Sequence, residues 1–358
     1  MRWLTSIFAS KGHDHPPAST GQPHPAQDAL AAIEELTRAI RHNPEAVELC
    51  SALGNLYRLR GDLDRAIQVR SSLANRPHLS VQDQARIFFE LGRDYSRAGL
   101  LDRAQDALFK ARQLGGPSSS LDRELADLFA KGGQFLEASR QYKHVGAIPQ
   151  AAHYLVRAAC SRDGFVDRGL LREALDLYPP SPEAWLETIG LMVRDGSWEQ
   201  LLALIGHGLT AVAPDLGFLL LEPLLDHETW DAPMPPKDWF AGLARMIHDQ
   251  PPNLALIHST GRLLRAHGFV AEATTWQEKA LLLNPAFWPA RLELLTLSMP
   301  DQHLTPVFAM QLEILLERGR QVKRFACAQC GLKRRDIFFC CPKCLAWHSI
   351  SFRKILSD

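Results

Sequence analysis

From Asp28 to about Arg318, apolar residues recur at three- and four-residue intervals, in stretches broken by Gly, Pro and Asn. That period predicts amphipathic helices. No stretch before Lys323 alternates apolar and polar residues with the period of two that a half-buried strand needs. The helices come in pairs with a repeating grammar. Leu53-Gly54-x-x-Tyr57 is followed by Gly61 and Ala66, and the same order returns as Leu91-Gly92-x-x-Tyr95, Gly99 and Ala104. It returns again as Leu125-Ala126-x-x-Phe129, Gly133 and Ala138, and then as Thr260-Gly261-x-x-Leu264, Gly268, Ala273, Ala280 and Pro285. Small residues at these places let two helices approach closely, a large apolar residue fills the gap, and Pro ends the second helix.

This is the pattern of the tetratricopeptide repeat, with repeats beginning near Val47, Ala85, Ser119 and Leu254. Ala85 follows Val47 at a longer interval than the ideal, so the loop from Pro77 to Val81 is expected to hold four extra residues. Ala32, Leu36, Ala39 and Pro44 read as the second half of an earlier repeat. Between Ala151 and Pro252 the grammar weakens. Tyr154–Leu177 and Glu183–Ala213 still read as helix pairs, and Asp226–Asp238, with three prolines, as a loop or broken helix. Trp288–Met299 and Pro306–Arg318 close the array. The expected architecture is all-α, a tetratricopeptide-repeat solenoid in which each repeat buries its face on its neighbours. The repeat numbering puts Asn55, Arg58, Arg93, Arg97, Arg123, Lys131, Arg262 and Arg265 on the concave side, interrupted by Glu48 and Asp127. Such a basic face suits an acidic segment or helix of a protein partner. Ser51, Ser120 and Glu90 stand where a clamp for a terminal carboxylate would want lysine or asparagine, which excludes that class.

The chain of 358 residues is 46% hydrophobic and formally neutral. The neutrality hides an asymmetry, since from Arg318 onward there are ten Lys or Arg against two acids, about +8. Residues 1–27 divide into a short amphipathic start, Met1–Ser10, and a stretch rich in Pro, His, Ser and Gly that cannot form a core. His13, His15 and His24 in it read as solvated side chains. No run approaches the length of about 20 apolar residues that spans a bilayer. No phosphate loop, Gly-x-Ser-x-Gly or His-Glu-x-x-His motif is present, and no catalytic constellation is assigned.

Five of the seven cysteines lie between Cys327 and Cys344. Cys327-x-x-Cys330 and Cys341-x-x-Cys344 are two pairs with the spacing of one tetrahedral thiolate metal site. Cys340 breaks that spacing and His348 is a weaker ligand still. Zinc suits four thiolates, and iron is accepted by the same geometry. Gly331 sits where a knuckle turn favours positive φ. Short strands are expected at Arg324–Ala326, Asp336–Cys340 and Ala346–Phe352, with Phe325, Phe338 or Phe339, and Trp347 covering the site. Metal binding would then form part of the folding free energy of this module, and its loss should unfold the module while the helices persist. Cys50 and Cys160, the latter placed mid-helix, read as small buried hydrophobes.

Leu53-Gly54-Asn55-Leu56-Tyr57-Arg58, Gly61-Asp62-Leu63-Asp64-Arg65-Ala66-Ile67, Leu91-Gly92-Arg93-Asp94-Tyr95, Gly99-Leu100-Leu101-Asp102-Arg103-Ala104 and Cys341-Pro342-x-Cys344-x-Ala346-Trp347 together resemble the lipopolysaccharide assembly protein B (LapB) family of Gram-negative bacteria. The resemblance is close over residues 47–111 and 325–350 and architectural between them. It implies a repeat region, here 28–320, and a rubredoxin-like, zinc-ribbon module, here 323–358, that docks on the repeats. It also implies a non-enzymatic adaptor at the cytoplasmic face of the inner membrane. Such an adaptor helps a membrane AAA+ protease limit the lipid A deacetylase, and so sets lipopolysaccharide supply. This chain lacks the family's N-terminal membrane helix, so cytoplasmic location with peripheral membrane contact at most is expected. The residues alone admit two other functions. One is a nucleic-acid-binding zinc module, for which Lys333, Arg334 and Arg335 beside Phe338 and Phe339 speak. The other is an iron-loaded electron carrier.

Overall fold

A computed structural model describes residues 25–43, 45–116, 118–161, 165–225 and 234–353. Met1–Ser10, the three histidines of the start, Pro44, Pro233 and residues 354–358 of the metal module lie outside the described residues. The contacts divide the chain into two compact units, one ending at Leu121 and the other running from Asp122.

In the first unit α1 (Pro25–His42), α2 (Val47–Leu59), α3 (Leu63–Ala74), α4 (Val81–Arg97) and α5 (Leu101–Gly115) stack as helix pairs. The second unit contains most of α6 (Ser119–Lys131), then α7 (Phe135–His144), α8 (Ile148–Ala159), α9 (Arg168–Leu177), α10 (Pro182–Asp195) and α11 (Trp198–Ala211). A 3-10 segment, Pro214–Leu224, follows. It is succeeded by α12 (Lys237–His248), α13 (Leu254–Ala266), α14 (Val270–Leu283), α15 (Trp288–Ser298) and α16 (Pro306–Arg320). Among the described residues no helix is long and apolar enough to cross a membrane.

The repeat grammar is visible in the packing. Ala66, Ala104, Ala138 and Ala273 are all fully buried. Gly61, Gly99, Gly133 and Gly268 take φ between 74° and 82° at the turns between paired helices, a conformation that any other residue would hold under strain. At the points of closest approach the second helix lays a side chain over each small residue. A Cβ on Gly92 would stand 2.7 Å from Leu108 Cγ, and one on Gly261 would stand 2.3 Å from Gln277 Nε2.

One expectation shifts. The four extra residues of the second repeat are not loop: they extend its first helix by a turn, so that α4 begins at Val81. Ser80 caps it, its hydroxyl accepting from the Asp83 N–H at 3.0 Å. Cys50 is buried as expected, whereas Cys160 is exposed at the C-terminal cap of α8 and not mid-helix. The Asp167 N–H bonds the Ala159 carbonyl at 3.0 Å, at the last residue of α8.

The last element is a three-stranded antiparallel sheet with β1 (Phe325–Cys327) between β2 (Lys333–Arg334) and β3 (Ile350–Phe352). Strands were expected at both ends of the module, and these form, with Phe325 opposite Phe352 and Cys327 opposite Ile350. The middle strand lies earlier than expected. Residues 336–340 are irregular apart from one bridge between Cys340 and Trp347, because Arg334 and Lys333 already occupy the free edge of β1.

Candidate metal centre

Two turns of the same construction hold the cysteines. In the first, the Cys327 N–H bonds the Leu332 carbonyl and the Gly331 N–H bonds the Cys327 carbonyl, both at 2.9 Å. In the second, the Cys341 N–H bonds the Ala346 carbonyl at 2.9 Å and the Leu345 N–H bonds the Cys341 carbonyl at 2.8 Å. Each turn therefore needs a left-handed residue just after its second cysteine. Gly331 supplies it at φ 69°, and Leu345 at φ 59°. A non-glycine residue there carries about 1–2 kcal/mol of strain. Leu345 is well exposed, so its side chain regains little by burial. Gly331→Ala is expected to destabilise the module by about 1 kcal/mol, whereas Leu345→Gly should be neutral or mildly stabilising. Chelator titrations monitored by Trp fluorescence would separate the two; equal losses would show that the turns are not equivalent.

The four sulfurs, those of Cys327, Cys330, Cys341 and Cys344, lie within 4.8 Å of one another. The Cys327–Cys344 and Cys330–Cys341 sulfurs are each 3.6 Å apart. A tetrahedron with metal–sulfur bonds of about 2.3 Å has edges of about 3.8 Å, so the set fits one ion. The surroundings of Cys327 and Cys341 favour thiolate. Burial would raise the Cys327 thiol, but the Ser349 hydroxyl at 3.2 Å and the backbone N–H groups of Cys330 and Gln329 bring it down to about 6. Burial likewise opposes ionisation of Cys341, and the N–H groups of Cys344 and Lys343 outweigh it. At Cys344 the backbone pulls down, but burial and the three crowded sulfurs raise the thiol to about 12. A divalent cation is what such a crowd of sulfurs requires. Four thiolates complete a tetrahedron and leave no position open for water or substrate. Cys340 stands outside the cluster, its thiol raised by burial and by Cys341.

The module is set into the helices of the second unit. Phe325, Phe338, Ile350, Phe352, Cys327 and Cys341 belong to the same buried cluster as residues of α10 to α15. Phe218 of the 3-10 segment stacks on Phe325, ring centres 6.0 Å apart, and meets Phe352 at 4.7 Å. Trp288 Nε1 donates to the Arg353 carbonyl at 3.1 Å. On the other flank, His348 Nε2 and His153 Nδ1 both lie 3.0 Å from the carboxylate of Glu183, which is 2% exposed. Burial would raise Glu183, but the hydrogen bonds and charge of the two imidazoles hold it down at about 2. His348 is thus a docking residue. No spacing in the sequence pairs positions 153, 183 and 348; only the fold brings them together.

Comparison with known proteins follows the same lines. No family model matches the sequence. LapB of Haemophilus influenzae is 20% identical over 309 residues, covering 83% of this chain and 77% of that one. LapB of Escherichia coli is 37% identical over 75 residues, 21% of this chain and 19% of that protein. The chain is similar to LapB. Among solved structures, Naa15/Naa10 bound to HypK-THB aligns with a TM-score of 0.31 and 14% identity over 83% of this chain and 56% of that one. YrrB, described as a TPR protein with an unusual peptide-binding site, aligns with a TM-score of 0.24 and 15% identity over 72% of this chain and 96% of that one.

Most of the residues that the repeat numbering assigns to the concave side make contacts within the protein. In the first unit the carbonyl of the Asn55 side chain accepts from Arg58 and Arg70 at 2.5 Å each. Arg58 is buried and ion-pairs with Glu90, and Arg93 reaches Glu90 at 3.3 Å. Buried Arg70 ion-pairs with buried Asp94. Arg97, Arg123 and Lys131 are exposed. In the second unit Arg262 meets Glu222 at 3.3 Å and Arg265 meets Glu293 at 2.7 Å.

Proposed function

We propose that this chain is a non-enzymatic adaptor of the LapB kind, whose helix pairs hold protein partners and whose metal module sets the shape of the carboxyl-terminal end. The observation that carries this is the shared core. A module whose aromatic residues interleave with Phe218 and Phe287 shapes the neighbouring helices instead of moving independently of them. A closed four-thiolate set supports a structural ion, zinc or iron, over a catalytic one. Arg97 in one unit, and Arg123 and Lys131 in the other, are sequence-assigned partner residues that are exposed. By its likeness to LapB, the chain would control lipopolysaccharide synthesis at the cytoplasmic face of the inner membrane, bringing the lipid A deacetylase to a membrane AAA+ protease.

In-cell crosslinking of the full chain, with Arg97→Glu and Arg123→Glu variants alongside, tests this reading. Recovery of the protease or the deacetylase, reduced by either charge reversal, is the expected result. Recovery of neither overturns the lipopolysaccharide role. Recovery unaffected by both substitutions removes these arginines from the partner surface. Metal analysis and the visible spectrum of the purified protein assign the ion.

A further inference from the structure

Between the last helices and the metal module lies a cavity of about 220 Å³, which no part of the adaptor reading uses. Four guanidinium groups line it: Arg262 and Arg265 from α13, Arg320 from the end of α16, and Arg324 just before β1. Its apolar walls come from Trp288, Leu292, Leu316 and Phe352. His258 also lines it but adds no charge. Burial and Arg262 lower this imidazole to about 3, and its Nδ1 lies 2.8 Å from the Gln277 side-chain oxygen.

The charges inside do not balance. Glu222 answers Arg262 in a pair largely shielded from solvent, and Glu293 answers Arg265, which is partly exposed. Arg320 makes exposed contacts, at 3.6 Å to Glu317 and 3.4 Å to the Thr296 hydroxyl. Arg324 has no carboxylate within ion-pair distance among the described residues, and its guanidinium lies over the Phe325 ring at 5.1 Å. Burial lowers Arg324, and Arg262 beside it lowers it further, only partly offset by Glu222, Asp336 and Glu293. A half-buried guanidinium next to a like charge is stabilised by a bound oxyanion, and its planar fork matches carboxylate and phosphate oxygens in pairs. The volume suits a group the size of one side chain or one phosphate.

We infer that this cavity is an oxyanion pocket, taking a carboxylate or phosphate head between Arg262 and Arg324 with a short apolar body against Trp288, Leu292 and Phe352. Glu293 is the carboxylate in the cavity lining, and its negative charge opposes a bound oxyanion. The inference stands apart from the adaptor reading, since a small oxyanion would bind here whatever the repeats hold.

Calorimetric titration of the full metal-loaded chain with inorganic phosphate, and with an acetylated tripeptide ending in a free Leu carboxylate, tests it. Saturable binding that weakens with salt is expected. Arg324→Gln should weaken it at least tenfold, and Glu293→Gln should tighten it several-fold. A gain in affinity cannot arise from misfolding, so the second variant keeps the inference falsifiable if the first is unstable. Tighter binding of the tripeptide than of its amidated form identifies a peptide carboxylate as the source. Binding of phosphate alone identifies a free anion. Absence of saturable binding of both probes, or binding unchanged in Glu293→Gln, overturns the pocket.

Discussion

Cys341→Ser is expected to lower the thermal midpoint of the second unit, with most of the helical signal retained at room temperature. Cys341 is fully buried and belongs to the cluster that joins the metal module to α10–α15. In isolated zinc modules a structural ion supplies about 10–16 kcal/mol of folding free energy. Loss of the ion releases Phe325, Phe338, Ile350 and Phe352, each worth about 1.5–3 kcal/mol of burial, and exposes Phe218 and Phe287 beneath them. Exposure of Phe218 and Phe287 alone, at about 1.5–3 kcal/mol each, costs the helices left behind at least about 3 kcal/mol, or roughly 6–12 °C for a unit of this size. Circular dichroism and Trp fluorescence melts of wild type, Cys341→Ser and Cys340→Ser check this. Cys340, outside the cluster, should cost less than about 1 kcal/mol. An unchanged midpoint in Cys341→Ser would mean that the module is only appended to the helices.

The Glu183 contact carries the second large effect, and it depends on pH. The folded carboxyl sits at about 2 against an ordinary 4.5. A depressed carboxyl stabilises the fold above its unfolded value and loses that contribution as pH falls through the folded one. The window is therefore from about pH 4.5 down to about 2, and the difference amounts to about 3 kcal/mol. Facing the carboxylate are His153 from α8, His348 from the metal module and the Ser181 hydroxyl. Glu183→Gln keeps the shape and removes the charge, and should cost about 3 kcal/mol at pH 7 while flattening the acid limb. Urea midpoints of both proteins between pH 6 and pH 3 give the comparison. Parallel acid limbs would show that another carboxyl governs the loss. Because this contact bridges α8, α10 and the module, its loss should also loosen the Trp347–His153 packing, where ring centres lie 4.9 Å apart.

Much of the scaffold could be read from the chain. Gly61, Gly99, Gly133 and Gly268 are recognisable because a left-handed turn selects glycine locally, and Ala66 or Ala104 because close helix approach tolerates little else. The cysteine pairs are legible for the same reason, since the turn that presents two sulfurs spans a few residues. Leu345 shows the limit. Its turn duplicates that at Gly331, but a leucine gives no local sign of φ 59°. Likewise the extra turn of α4 was hidden, because the inserted residues continue the helical period. The carboxylates that pair with the basic positions are not legible in the sequence. Arg58 lies against Glu90 and Arg262 against Glu222, residues that no spacing rule joins to them.

By itself, then, the sequence determined the helix pairs, their turns and the four cysteines that cluster, all set by contacts within a few residues or within one repeat. Only the tertiary structure decided that His348 serves Glu183 rather than the ion, that the module's aromatic residues close a helical core, and that Arg262 and Arg324 face one cavity. The physical reason is the range of the forces concerned. Backbone geometry and close packing act between chain neighbours and leave a period or a spacing. A buried charge takes whichever partner the fold delivers, and that choice leaves no mark in the order of residues.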